Sequence, residues 1–158
     1  MYKILVTYFS ASVITKKLAE KLTEAVGADI FEIKPEVPCT DEDLNWQNNK
    51  SRSSVEMNDR SSRPKIASKV NSINQYDVVF VGFPIWWYRE PSIIDTFMES
   101  YDFSGKIIVP FATSGMSSIG ESGKIMQALV PNAKVVAGKR FPDSVKTDEL
   151  KKWASEWV

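Results

Sequence analysis

The 158-residue chain has no histidine and one cysteine, Cys39. Without histidine there is no Ser-His or Cys-His relay, no imidazole metal ligand and no histidine acid–base chemistry. One thiol closes no intramolecular disulfide and builds no cysteine-rich zinc or iron–sulfur site. No cationic cluster or second thiol stands near Cys39 to activate it. Net charge is absent too, with 20 Lys+Arg against 20 Asp+Glu. That speaks against nucleic acid as a partner, which needs a clustered basic excess. It also weakens the case for a strongly acidic docking face, although net charge does not describe charge distribution. No apolar run approaches the roughly 20 residues of a membrane helix. The first strand starts beside Met1 and leaves no room for a leader, so a cytoplasmic location with no membrane contact is expected. Any hard chemistry is therefore expected from a bound cofactor.

What is present reads as an ordinary soluble globular chain, 43% hydrophobic and 25% charged. Its length suits one domain over 1–158. Lys3 to Tyr8 is a first buried strand. Leu18, Ala19, Leu22, Ala25 and Val26 then recur at helical spacing, with Gly27 as the helix stop. Asp29 to Ile33 alternates like an edge strand. Strand, helix, strand in this order makes a βαβ unit with a parallel pair. A long polar segment follows from Lys34 to about Arg63, of a length that is usually functional or mobile. Pro64 opens an expected helix through Val70 and Ile73.

Val78 to Gly82 is a continuous apolar run, read as a strand buried on both faces. Pro84 ends its ladder and delivers Trp86, Trp87 and Tyr88 to the sheet's carboxyl edge. After Pro91 a short helix carries Ile93, Ile94, Phe97 and Met98 inward. Lys106 to Thr113 is another buried strand, and a helix then runs to Leu129 and Val130. Lys134 to Gly138 is a fifth, weaker strand. Thr147 is expected to cap a last helix through Leu150, Trp153 and Trp157. Five strands alternating with helices predict an α/β, doubly wound parallel sheet in the order 2-1-3-4-5, with helices on both faces.

In that topology strands one, three and four end side by side at the switch point. Three loops leave those ends. Ser10, Ser12 and Thr15 open a helix, where hydroxyls and unbonded N–H groups suit an anion. Ile85, Trp86, Trp87 and Tyr88 offer flat apolar faces. Gly115 and Gly120 let backbone N–H groups approach a ring edge closely. Neither Gly-x-x-x-x-Gly-Lys nor Gly-x-Gly-x-x-Gly occurs, so nucleoside-triphosphate and dinucleotide fingerprints are missing. A phosphate end, a flat wall and a backbone-lined ring edge describe a flavin mononucleotide (FMN) site.

Here the chain resembles the flavodoxin family over nearly its whole length. The segments that carry the likeness are Tyr8-Phe9-Ser10-Ala11-Ser12 with Thr15-Lys16, Pro84-Ile85-Trp86-Trp87, Phe97 through Lys106, Pro110 through Gly115, and the insertion from Ser51 to Asp59. The last four resemble a bacterial flavodoxin-like subgroup. The resemblance implies a flavodoxin-like fold and non-covalent FMN. Ser10, Ser12 and Thr15 would take the phosphate, with Val13 and Ile14 between them. Pro84 to Tyr88, and Thr113, Ser114, Gly115, Ser117 and Gly120, would flank the ring.

Two departures from the family pattern stand out. Val13 replaces a customary glycine, and Ile14 a small or polar residue. A β-branched residue does not readily take positive φ, so weaker FMN binding is expected, and a gain for Val13→Gly. Arg89 stands where the subgroup has smaller residues, either as a solvated charge or beside the flavin edge. The leading functional reading is electron transfer through FMN to a redox partner protein. The alternatives are an NAD(P)H-dependent FMN reductase of quinones or similar acceptors, and a flavin-free binding module. Monomer and homodimer are both open.

Overall fold

Strands β1 (Ile4–Tyr8), β2 (Asp29–Glu32), β3 (Val78–Pro84) and β4 (Ile107–Thr113) pair in parallel, in spatial order β2-β1-β3-β4. This is a computed structural model, and it describes residues 3–9, 13–34, 66–67, 70, 73–84, 92–113, 122–136, 138–141 and 145–157. The three central strands are the continuous apolar runs of the sequence. Both faces of such a strand are covered, so every position must be apolar or satisfied. Alternation sorts their side chains. Leu5, Val79, Val81, Phe83, Ile108 and Ala112 enter one core, and Val6, Tyr8, Val78, Phe80, Val109 and Phe111 the other.

Helices α1 (Val13–Val26) and α4 (Thr147–Ala154) cover the second core through Leu18, Ala19, Leu22, Leu150 and Ala154. Helices α2 (Ser92–Glu99) and α3 (Ser122–Leu129) cover the first through Ile93, Ile94, Phe97, Met98 and Met126. The sheet is therefore doubly wound, as the element order predicts. Gly27 stops α1 in the left-handed region at φ 65°, and the Ala28 N–H closes onto the Thr23 carbonyl at 3.1 Å. That six-to-one bond is the Schellman closure glycine permits. Among the described residues no helix is long and apolar enough to cross a membrane.

The edge strand β2 is held by two buried tyrosines. The Tyr76 hydroxyl donates to Asp29 at 2.8 Å and the Tyr8 hydroxyl to Glu32 at 3.3 Å. Burial first, and then the neighbouring carboxylates, push both hydroxyls up to about 12. An unfolded tyrosine ionises near ~10. Both groups thus hold their protons more tightly when folded. Their stabilisation is complete below about pH 10 and is lost as pH rises through about 12. Urea midpoints measured from pH 8 to 12 are expected to fall above pH 10, and to fall less in the Tyr8→Phe/Tyr76→Phe variant. An equal fall in that variant would assign the effect to other groups.

The fifth strand departs from its expected form. It is split into β5 (Lys134–Val135) and β6 (Lys139–Phe141), both parallel to β4, giving a six-stranded sheet. Pro110 explains the break. The Lys106 and Ile108 carbonyls accept from the N–H groups of Lys134 and Val136. By ladder alternation position 110 faces the same neighbour, and a proline has no N–H to offer it. Three residues lie between Val135 and Lys139 where β4 has only two between Ile108 and Phe111. The chain is thus one residue longer than β4 between the two pairings, and Gly138 within that stretch takes φ 76°.

Two further expectations are corrected. Among the described residues of the 64–73 stretch, Ile66, Ala67 and Val70 are not helical, because tertiary partners claim the Ala67 and Val70 N–H groups. Ala67 donates to the Lys34 carbonyl at 2.7 Å and Val70 to the Tyr101 hydroxyl at 2.8 Å, and among the described residues here the helical ones are the 3₁₀ turn Ile73–Gln75. Thr147 is the first residue of α4 and does not cap it. The cap position is the extended Lys146, which makes no side-chain cap bond, and Asp148 and Glu149 meet the helix dipole instead.

Candidate functional site

Register fixes where the three loops begin. Tyr8 lies beside Gly82, and Pro84 beside Thr113. The Phe9 N–H donates to the Gly82 carbonyl at 2.9 Å and carries the β1 ladder one residue further. The carboxyl ends of β1, β3 and β4 are therefore neighbours. The chain winds from β1 outward to β2 on one side and to β3 on the other, so this edge is the switch point at which open α/β sheets bind ligands.

Helix α1 brings its first turn over this edge. The hydroxyls of Thr15 and Thr113 meet at 2.8 Å, 98 residues apart in sequence. Thr15 is 1% exposed and Thr113 5%. One hydrogen bond thus pins the start of α1 to the end of β4. The first turn carries no acidic residue, and Lys16 and Lys17 follow on the exposed side. The first N–H groups of a helix have no partner within it, and they carry roughly half a positive charge between them. Amide and hydroxyl donors with no carboxylate in the same turn form a donor set that fits an anionic oxygen such as phosphate.

The strand ends are packed tightly beneath. Gly82 is buried, and the Phe111 ring lies directly over it. A Cβ built at Gly82 would stand 2.2 Å from the ring's Cζ. Glycine is required here because β4 fills the space of a β3 side chain. The signal was in the sequence, since a lone glycine inside an apolar strand run marks a close approach. Its partner ring could not be named from sequence. Tyr8 and Phe111, neither proposed from sequence, belong to the support of this edge.

Of the sequence-derived site residues, Thr15, Pro84 and Thr113 are brought to this one edge. Pro84 is the last residue of β3, still in register with Thr113, so the strand runs two residues beyond Gly82. Ser10, Ser12, Ile85, Trp86, Trp87, Tyr88, Ser114, Gly115, Ser117 and Gly120 lie outside the described residues, as do Cys39, Arg89 and the segment from 35 to 65.

Val13 and Ile14 are the first two residues of α1. Their backbone is right-handed helix, which β-branched residues adopt at small cost. Neither position requires a positive φ, so the conformational reason for expecting weakened phosphate binding falls away.

Comparison with known proteins follows the same line. The family model described as flavodoxin matches residues 3–157. No curated protein matches the chain. A protein from Bacteroides eggerthii, provisionally called a flavoprotein, is 47% identical, with 99% of this chain and 98% of that one covered and a TM-score of 0.93. A second, from Bacteroides uniformis and named in the same way, is 44% identical over 98% of each chain, with a TM-score of 0.92. A flavoprotein from Lactobacillus acidophilus, solved in complex with FMN, is 22% identical over 98% of this chain and 99% of that one. Its TM-score of 0.71 reports a shared fold.

Proposed function

Because the chain belongs to the flavodoxin family, we propose that it is one FMN-binding domain over residues 1–158 that transfers electrons through non-covalently held FMN. The observation that supports this most is the α1 first turn, free of acidic residues and pinned by Thr15 to Thr113 over the three neighbouring strand ends. When bound, FMN supplies one- and two-electron transfer. The protein's part is to bind and orient it. The α1 amides, with Ser10, Ser12, Val13, Ile14 and Thr15, hold the phosphate. Pro84 to Tyr88 form the aromatic wall of the ring. Thr113, Ser114, Gly115, Ser117 and Gly120 face the other ring edge. The partner is a redox protein of the cytoplasm, and no nicotinamide fingerprint argues for a reductase.

Reconstitution with FMN tests this reading. The purified protein is expected to give a yellow flavin spectrum that bleaches on reduction. A colourless protein after FMN incubation and desalting would sink the proposal. NADH or NADPH is expected not to bleach the bound flavin at a catalytic rate, and rapid bleaching would move the protein to the reductase class. In the same titration Val13→Gly is expected to bind FMN no more than twofold tighter than the parent. A glycine in the first turn of α1 removes no strain and loosens the helix start. A large gain in affinity would restore the conformational argument.

A further inference from the structure

The contact between Thr15 and Thr113 holds more than a strut needs. Two hydroxyls bring two protons, and their mutual bond at 2.8 Å uses one. Either oxygen can be the donor. Neither hydroxyl has a second hydrogen-bond partner among the described residues. Thr15 is 1% exposed and Thr113 5%, so the remaining proton is shielded from bulk water, and an anion accepts it only as the first turn of α1 opens to admit the ligand. A buried O–H left without an acceptor is costly, and proteins seldom retain one without a use. Thr15 is also the third residue of α1, among the N–H groups that have no partner within the helix. The spare donor therefore sits at the corner whose chemistry favours an anion.

We propose that Thr113 is a positioning residue for the phosphate end of FMN. Its hydroxyl donates to Thr15 Oγ1, which leaves the Thr15 hydrogen for a phosphate oxygen. This rests on the FMN reading and deepens it. The family resemblance places Thr113 with the loop that flanks the ring, whereas its hydrogen bond ties it to the opposite end of the cofactor. The chain of donors runs from β4 to α1 to the anion, and each bond polarises the next. A phosphate oxygen has lone pairs to accept from Thr15 and from the helix amides together. A neutral ligand in the same place gains little from either.

The test compares FMN with riboflavin, which has the ring system without the phosphate. Both are titrated against the parent, Thr113→Val and Thr113→Ser by flavin fluorescence quenching. The parent is expected to favour FMN. Thr113→Val is expected to bind FMN about tenfold more weakly, because the Thr15 hydroxyl loses the donor that aims and polarises its bond to the phosphate, and riboflavin within twofold of the parent. Thr113→Ser keeps the hydroxyl and is expected to retain the parent's preference. Thr113→Ala takes the place of the valine variant if that does not fold. Equal weakening of both flavins in the variant lacking the hydroxyl would make the pair a structural strut and overturn the proposal. A parent that binds riboflavin as tightly as FMN would overturn it while sparing the flavin reading. A parent that binds neither flavin overturns both.

Discussion

Gly82→Ala is expected to destabilise the protein by about 2–3 kcal/mol, the upper part of the range for overpacking a filled core. The new methyl would stand 2.2, 2.4 and 2.9 Å from three atoms of the Phe111 ring. Phe111 is fully buried and Gly82 faces it in register between the two central strands. The ring cannot swing into solvent, and neither backbone can withdraw without opening the middle of the sheet. Alanine's smaller backbone entropy loss, about 0.5–1 kcal/mol, offsets only part of this. The cause is checked by a double-mutant cycle in urea. Phe111→Ala alone should cost about 3–5 kcal/mol through its cavity. Added to that variant, Gly82→Ala should cost little or nothing, because the methyl then enters vacated space. Additive losses would show that the ring is not what excludes the side chain. The clash also bears on ligand binding, since Phe111 precedes Thr113 by two residues on the strand that ends at the site.

The second large effect is expected at Phe97. It is fully buried in α2 with ring neighbours on three sides: Tyr101 at 5.2 Å, Phe103 at 5.8 Å and Phe31 at 6.5 Å. Phe97→Ala removes a side chain that joins α2 to the edge strand β2 and to the turn before β4. The expected loss is about 4 kcal/mol, in the usual range for a buried phenylalanine. At about 2–4 °C per kcal/mol for a chain of this size, the thermal midpoint should fall by roughly 8–16 °C. Phe97→Leu keeps most of the volume and should cost no more than about 1.5 kcal/mol. A loss below that figure for Phe97→Ala would mean that the cluster collapses into the cavity and that the rings are not mutually dependent. The region matters for the site because α2 is the next described element after β3, whose carboxyl end leads in sequence into the aromatic run.

The elements that sequence made legible are those whose signal is local. The runs from Lys3 and Val78 could only be buried strands, and the α1 periodicity ends at a glycine that adopts the expected left-handed turn. The strand order followed from alternation of element types, because parallel crossovers leave few topologies. What sequence did not show depends on partners far along the chain. The residues 64–73 look helical by pattern, but Ala67 and Val70 bond to Lys34 and Tyr101 instead. The fifth strand breaks because of a proline on its neighbour. Thr15 reads as one hydroxyl among several in a helix-opening turn, and only the folded chain gives it Thr113. The aromatic run that stands out most in the sequence lies outside the described residues, so its proposed role rests on the strand end that delivers it.

The divided strand beyond β4 has a consequence for how the molecule behaves in a crowded solution. A sheet margin with unpaired backbone groups is a template for another chain, and natural proteins interrupt such margins with bulges, prolines and short segments. Here β5 is two residues long and β6 three, and the outward Val135 N–H is already taken by the Gln127 side chain at 3.0 Å. Stacked, amyloid-like assembly needs about six or seven in register. The missing N–H of Pro110 therefore acts on the next strand over, by denying that margin the length on which a second chain could grow.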